Sequence, residues 1–209
     1  MLLDLTTLKN QYSIEISGII HIGAHHGQEH SLYRSLNIDN LLYIEPLSKN
    51  FEILKNSVKA EGVCLQKALG SKTGHVKMYV ESANQGMSSS ILKPKLHLAQ
   101  YPHIVFDQEE IVEVDLLDNI DTIKEKSYNA INMDVQGYEL EVLKGATETL
   151  KSIDVIISEV NRAEVYENCP MVEELDAFLS EYGFERVETN WAGQTWGDAL
   201  YLKKKKYNS

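Results

Sequence analysis

The sequence predicts an α/β fold, a mostly parallel sheet covered on both faces by helices. Three observations predict it. Short apolar runs alternate with amphipathic stretches along most of the 209 residues. The first run, Gly18-Ile19-Ile20-His21-Ile22, passes directly into a glycine turn that opens a helix. The second, Leu41-Leu42-Tyr43-Ile44, ends on an acid, Glu45, the arrangement by which doubly wound sheets hold a nucleotide.

The elements follow in order. A helix is expected over 28–36, after the glycine turn. Ser48 reads as the N-cap of a helix reaching Val58. Val63-Cys64-Leu65-Gln66 is a third strand. Residues 76–80 alternate like a half-exposed strand, and 82–102 read as a long irregular loop of the kind that often carries function. Short strands follow at 111–114 and 130–133. A helix over 139–150 places Leu140, Leu143, Thr147 and Leu150 on one face. Residues 154–158 form the fifth core strand, and a helix over 171–182 stops at Gly183, a good residue beyond a helix end. Strands at 184–189 and 199–202 close the chain, a terminal pair that gives the sheet one antiparallel member near its edge. No repeat, low-complexity segment or Pro/Gly-rich linker interrupts the chain. It reads as one domain over 1–209, with a helical extension over 1–17 and a basic tail over 203–209.

Composition narrows the partners. Hydrophobic residues make up 43% and charged residues 24%, as in ordinary globular proteins. No apolar run approaches the roughly 20 residues that span a bilayer. The start of the chain lacks the pattern of a signal peptide, which predicts a cytoplasmic protein. Cys64 and Cys169 lack metal-type spacing and read as free structural thiols. The net charge of −11 argues against nucleic acid and favours a neutral or positively charged small acceptor. A homodimer stays open.

The chemistry begins at Gly23-Ala24-His25-His26-Gly27. Small residues let backbone approach a ligand, and the helix start offers free N–H groups. Glu45 is placed to accept from ribose hydroxyls. The fuller set of glycines that a pyrophosphate wants is missing, which counts against a dinucleotide such as NAD. Asp134 and Glu159 end neighbouring strands, where ligands bind in open sheets; mutual repulsion and burial can make one of them a base. His26, or its neighbour His25, is a further candidate for touching cofactor or acceptor. Ser88 and Ser89 in the long loop are candidates for acceptor hydroxyls. Trp191 and Trp196 flank Gly193, where an aromatic face can stack on a sugar or simply pack. Asp134, Glu159 and Asn161 together offer oxygen ligands for magnesium, a thin set that is not favoured.

The sequence resembles the FkbM-type methyltransferases. The resemblance rests on IIHIGAHHGQE at 19–29, YIEP at 43–46, GMSSSIL at 86–92, VDLLDNI at 114–120, INMDVQGYELEVLKGA at 131–146 and IISEV at 156–160. It implies a Rossmann-like class I fold with a seven-stranded sheet, and S-adenosylmethionine across strands one and two. It also implies O-methylation of a sugar, glycan-like or related small acceptor above strands four and five. By that resemblance His21, Gly23, Ala24, His25, Gly27, Glu45, Pro46, Ala68, Leu69 and Asp134 hold the cofactor. Asp134, Glu159 and His26 are the catalytic candidates, and Ser88, Ser89, Gln136 and Trp191 face the acceptor. Two residues depart from the family pattern. His21 stands where many relatives carry an Asp, and Gln136 replaces the usual Glu. These departures keep alive a non-catalytic cofactor-binding module, beside the alternative of a nicotinamide oxidoreductase.

Overall fold

The computed structural model describes residues 2–204. Its elements run α1 (Leu5–Tyr12), β1 (Gly18–Ile22), α2 (His30–Ser35), β2 (Asn40–Ile44), α3 (Ser48–Val58), β3 (Val63–Leu65), β4 (Ala68–Leu69) and β5 (Gly74–Glu81). They continue with α4 (Leu96–Gln100), β6 (Phe106–Asp115), α5 (Asp121–Glu125), β7 (Ala130–Met133), α6 (Glu139–Lys144), β8 (Val155–Asn161), α7 (Val172–Glu181), β9 (Phe184–Ala192) and β10 (Trp196–Lys203). Seven strands form one sheet in the order β3-β2-β1-β7-β8-β10-β9. β10 runs antiparallel to both of its neighbours, and the other pairings are parallel. The predicted sheet, with one antiparallel strand near its edge, is the one found.

Alternation along the central strands divides the core in two. Ile20, Ile22, Leu42 and Ile44 pack against Val142 and Leu143 of α6 and Leu175 and Leu179 of α7. Ile19, Leu41 and Tyr43 face the other way, onto Leu5 and Leu8 of α1, Tyr33 of α2, and Phe51 and Leu54 of α3. Side chains on both faces are buried, so these strands read as continuous apolar runs.

Several expectations need correction. Ser48 is not an N-cap: it is the first helical residue, and its hydroxyl donates instead to Glu110 Oε1 at 2.6 Å. The helix expected over 139–150 ends at Lys144; a separate 3₁₀ turn follows at Thr149–Lys151. Gly145 forces the break, because a Cβ there would lie 2.0 Å from the Gly70 carbonyl oxygen, so that the chain must pass β4 as bare backbone. Residues 68–115 build a second, three-stranded sheet in the order β4-β6-β5, with β6 much longer than the strand expected at 111–114. The segment 82–102 is not wholly irregular. It contains α4 and is pinned by bridges Tyr79↔Ser90 and Pro94↔Tyr166. Lys203 ends β10, and its ammonium donates to the carbonyls of Leu150 and Lys151. The rest of the expected basic tail, beyond Lys204, lies outside the described residues.

The sheet order reverses between β1 and β7, and open α/β sheets form their ligand crevice at that switch. The two strand ends meet closely: Asp134 N donates to Ile22 O at 3.0 Å, and Gly23 N to Ile44 O at 2.9 Å. Gly23 has φ +75°, and a Cβ on it would lie 1.9 Å from the Asp134 carbonyl oxygen. Backbone cannot yield as a side chain does. Gly23→Ala should therefore destabilise the fold by about 3 kcal/mol or more, read as a drop in the denaturant midpoint; a change within ~0.5 kcal/mol contradicts this packing.

Candidate active site

Two cavities meet at the carboxyl ends of β1 and β7. The first lies between the Gly23 turn, Glu45-Pro46, Ala68-Leu69 and the Asp134–Gln136 turn. The second opens beyond it over Glu159 and Asp198, and is walled by His97, Tyr101 and Trp196. Met87, Asp134 and Gln136 line both.

Glu45 anchors the first cavity. Its Oε2 accepts from His25 N at 2.9 Å and its Oε1 from Leu47 N at 3.0 Å, so the strand end and the glycine turn are tied through one carboxyl. Burial pushes its pKa up to about 7, against the pull of those two backbone bonds. His25 sits at φ 47° and Gln136 at φ 55°, a left-handed backbone that costs a non-glycine residue of order 1–2 kcal/mol. Both lie at the cleft, where surrounding bonds hold them in place. Ala68, Leu69, Met78 and Ile91 form an apolar slot, and Lys67 beside them is already paired with Asp115 at 3.0 Å.

At the junction Gln136 organises the polar groups. Its Nε2 donates to Asp134 Oδ1 at 2.6 Å and Glu159 Oε2 at 2.8 Å, while its Oε1 accepts from the Tyr166 hydroxyl at 2.7 Å. Beneath it, Glu139 Oε1 accepts from the N–H groups of Val135 and Gly137, both at 3.1 Å, and so clamps the turn. Burial, with Asp134 nearby, pushes the Glu139 pKa up to about 7. Burial and then the charges of Asp134, Glu139 and Asp198 hold the Glu159 carboxyl well above the ordinary carboxylate range. The serine loop is fastened to the same turn: Ser90 Oγ donates to Gln136 O at 2.7 Å, and Tyr166 also reaches Ser88 O at 2.8 Å.

Not every expected site residue reaches these cavities. Gly23, His25, Glu45, Pro46, Ala68, Leu69, Ser89, Asp134 and Gln136 line the first. Ser88, Asp134, Gln136 and Glu159 line the second. His21 lines neither. It alternates onto the opposite face of β1, where its ring contacts the Tyr33 hydroxyl at 3.4 Å and the Asn132 amide at 3.3 Å, and burial lowers its pKa. Ala24 and Gly27 shape the turn from behind: Ala24 is buried with the α1–α3 core, and Gly27 abuts Leu54. His26 stacks on His25 with centroids 3.7 Å apart and donates to Asn50 Oδ1, away from both cavities. Trp191 lies under the Arg162 guanidinium, 3.8 Å from its ring; the tryptophan facing the second cavity is Trp196. Asn161 is buried at the end of β8. Among the described residues no group of three His, Cys, Asp or Glu is placed to hold a metal ion.

Sequence reasoning missed His97, Tyr166, Glu139 and Asp198. His97 and Tyr166 lie in loop-like stretches without periodicity. Glu139 read as an ordinary first-turn helix acid. The antiparallel register Glu159↔Asp198 could have been anticipated from the terminal strand pair.

Comparison with known proteins agrees with this geometry. A model of the methyltransferase FkbM domain matches residues 21–186. The chain belongs to that family. A 2-O-methyltransferase, NoeI of Sinorhizobium fredii, is 39% identical over 84 residues, which cover 39% of this chain and 34% of that relative. Among solved structures, the N-terminal domain of EvdMO1 with S-adenosylhomocysteine bound superposes with TM-score 0.54 at 8% identity, covering 96% of this chain and 79% of that one. A putative tRNA (m1A22) methyltransferase of Streptococcus pneumoniae gives 0.53 at 11% identity, over 100% of this chain and 73% of that one. These likenesses show a Rossmann-like methyltransferase fold.

Gln136→Glu, which restores the residue usual in the family, would add a third carboxyl between Asp134 and Glu159. Its folded-state pKa would be raised, so the destabilisation should grow as pH rises from the unfolded value of about 4.3 to that raised value. Thermal melts should show the variant within ~0.5 kcal/mol of wild type near pH 4 and about 2 kcal/mol weaker at pH 8. A pH-independent difference contradicts the bridging role given to Gln136.

Proposed function

We propose that the chain is an S-adenosylmethionine-dependent O-methyltransferase acting on a hydroxyl of a sugar or glycan-like small acceptor. The observation that carries this reading is the meeting of the two cavities at Asp134, Gln136 and Met87. One cavity has the acid, the glycine turn and the apolar slot that an adenosine group requires. The other has polar and aromatic side chains suited to a hydroxylated ring. Family membership and the partial likeness to a 2-O-methyltransferase support it.

The residues present suit the cofactor. Glu45 keeps free lone pairs beside its two backbone bonds and would hold the ribose hydroxyls; Ala68 and Leu69 would flank the adenine. Gly23, His25 and Asp134 would hold the methionine end. When bound, S-adenosylmethionine supplies an electrophilic methyl group on a sulfonium. The protein's main task is to fix the acceptor oxygen in line at roughly 3–3.5 Å, which accounts for much of the rate. Asp134, at the junction, accepts the acceptor's hydroxyl proton or a hydrogen bond from it. Gln136 holds Asp134 in place. Glu159 accepts from the same Gln136 amide and so is held beside Asp134. His26, stacked away from both cavities, takes no part in proton transfer. Among the described residues no helix is long and apolar enough to cross a membrane.

Two measurements test this reading. Radiolabelled methyl transfer should be detected with simple glycosides, and Asp134→Asn should lower kcat by about 10²-fold; full activity of that variant removes Asp134 as the proton acceptor. Calorimetry with S-adenosylhomocysteine should show affinity rising between pH 6 and 8. Ribose hydroxyls donate best to ionised Glu45, whose pKa is about 7, so raising the pH removes the proton that opposes binding. Glu45→Gln should bind more weakly and without that slope.

A further inference from the structure

β8 and β10 bring four side chains onto one face. The antiparallel register sets Glu159 opposite Asp198 and Asn161 opposite Trp196, and the period of two keeps Glu159 and Asn161 on the same side. Glu159, Asp198 and Trp196 line the second cavity. Trp196 Nε1 donates to the Tyr101 hydroxyl at 3.0 Å, which fixes two aromatic rings as one wall.

Two features of the second cavity bear on its ligand. His97, which lines the same cavity, is 3% exposed and leaves Nδ1 without a partner. Buried polar groups are normally satisfied, and leaving one unmade costs about 1–3 kcal/mol. Second, Asp198 Oδ2 accepts from the N–H groups of Leu2 and Leu3 and Glu159 Oε2 from Gln136, but neither carboxyl forms an ion pair with a lysine or arginine among the described residues, and none lines the cavity. Two facing carboxyls in a buried site favour a positive guest over a neutral one, and repel an anion.

We infer that this face is an acceptor subsite for an amino sugar, whose ammonium group sits on Glu159 and Asp198 and whose ring lies on Trp196 and Tyr101. His97 then supplies a hydrogen bond to a ring hydroxyl. The inference rests on the methyltransferase reading and narrows its acceptor. A protonated amine near the hydroxyl to be methylated compensates the carboxyl pair, a neutral hexose leaves it unbalanced, and a uronic acid or sugar phosphate is excluded by charge.

The test uses the whole protein saturated with S-adenosylhomocysteine, titrated at pH 7 with the methyl glycosides of glucosamine, N-acetylglucosamine and glucose. The amine should bind at least tenfold tighter than the other two, and Glu159→Gln should erase that preference. His97→Phe should leave the melting temperature nearly unchanged, since the ring keeps its place among Tyr101, Phe106 and Tyr166, while weakening glucosaminide binding about tenfold. Equal affinity for the three glycosides, no binding of any, or a preference that survives Glu159→Gln overturns the subsite. So does a His97→Phe protein that binds the glucosaminide as wild type does. Failure of S-adenosylhomocysteine itself to bind would instead bring down the methyltransferase reading, so the two failures are told apart.

Discussion

The site depends on the side-chain amide of Gln136. One nitrogen carries two N–H groups, and it places them on two carboxyls, Asp134 at 2.6 Å and Glu159 at 2.8 Å. Without a donor between them, a half-buried and a buried acid at neighbouring strand ends would repel, and one would have to move or stay protonated. The bridge works only because Gln136 is held in a left-handed backbone conformation that its residue type does not favour. Glu139 beneath and Tyr166 beside it hold it there, and Ser90 ties the serine loop to the same peptide. The wall between the two cavities is thus one connected hydrogen-bond network. A change at any member reaches both sides.

That network also shows how a departure from the family pattern is accommodated in the fold. A glutamate at 136 would offer acceptors where this chain needs donors. The glutamine keeps the contact with Tyr166 and replaces repulsion by two hydrogen bonds. The same arithmetic applies to His21. An acid at that position would face the α1–α3 core in this structure, whereas the neutral imidazole joins Tyr33 and Asn132 in a buried polar cluster.

Much of the frame was legible because it rests on periodicity. Largely apolar runs such as 18–22 and 154–158 announced strands, both found buried on both faces, and the turn after β1 and the acid after β2 marked the cleft. Failures arose where tertiary contacts override local signals. Ser48 has the chemistry of a cap, but Glu110 from the second sheet takes its hydroxyl. The helix after β7 had a good apolar face through Leu150, but the passage of β4 stops it at Gly145. The stacked pair His25–His26 is adjacent in sequence, and only the turn geometry decides that His25 faces the cleft and His26 does not. His97 carries no signal in a single sequence, because its importance comes from the cavity around it.

The most direct measurement is a crystal structure of the protein with S-adenosylhomocysteine bound. The account predicts the ribose hydroxyls on Glu45, the adenine against Ala68 and Leu69, and the sulfur turned toward the junction of Asp134 and Gln136. Density for the ligand elsewhere, or in the first cavity with its sulfur turned away from that junction, would contradict the placement of both sites.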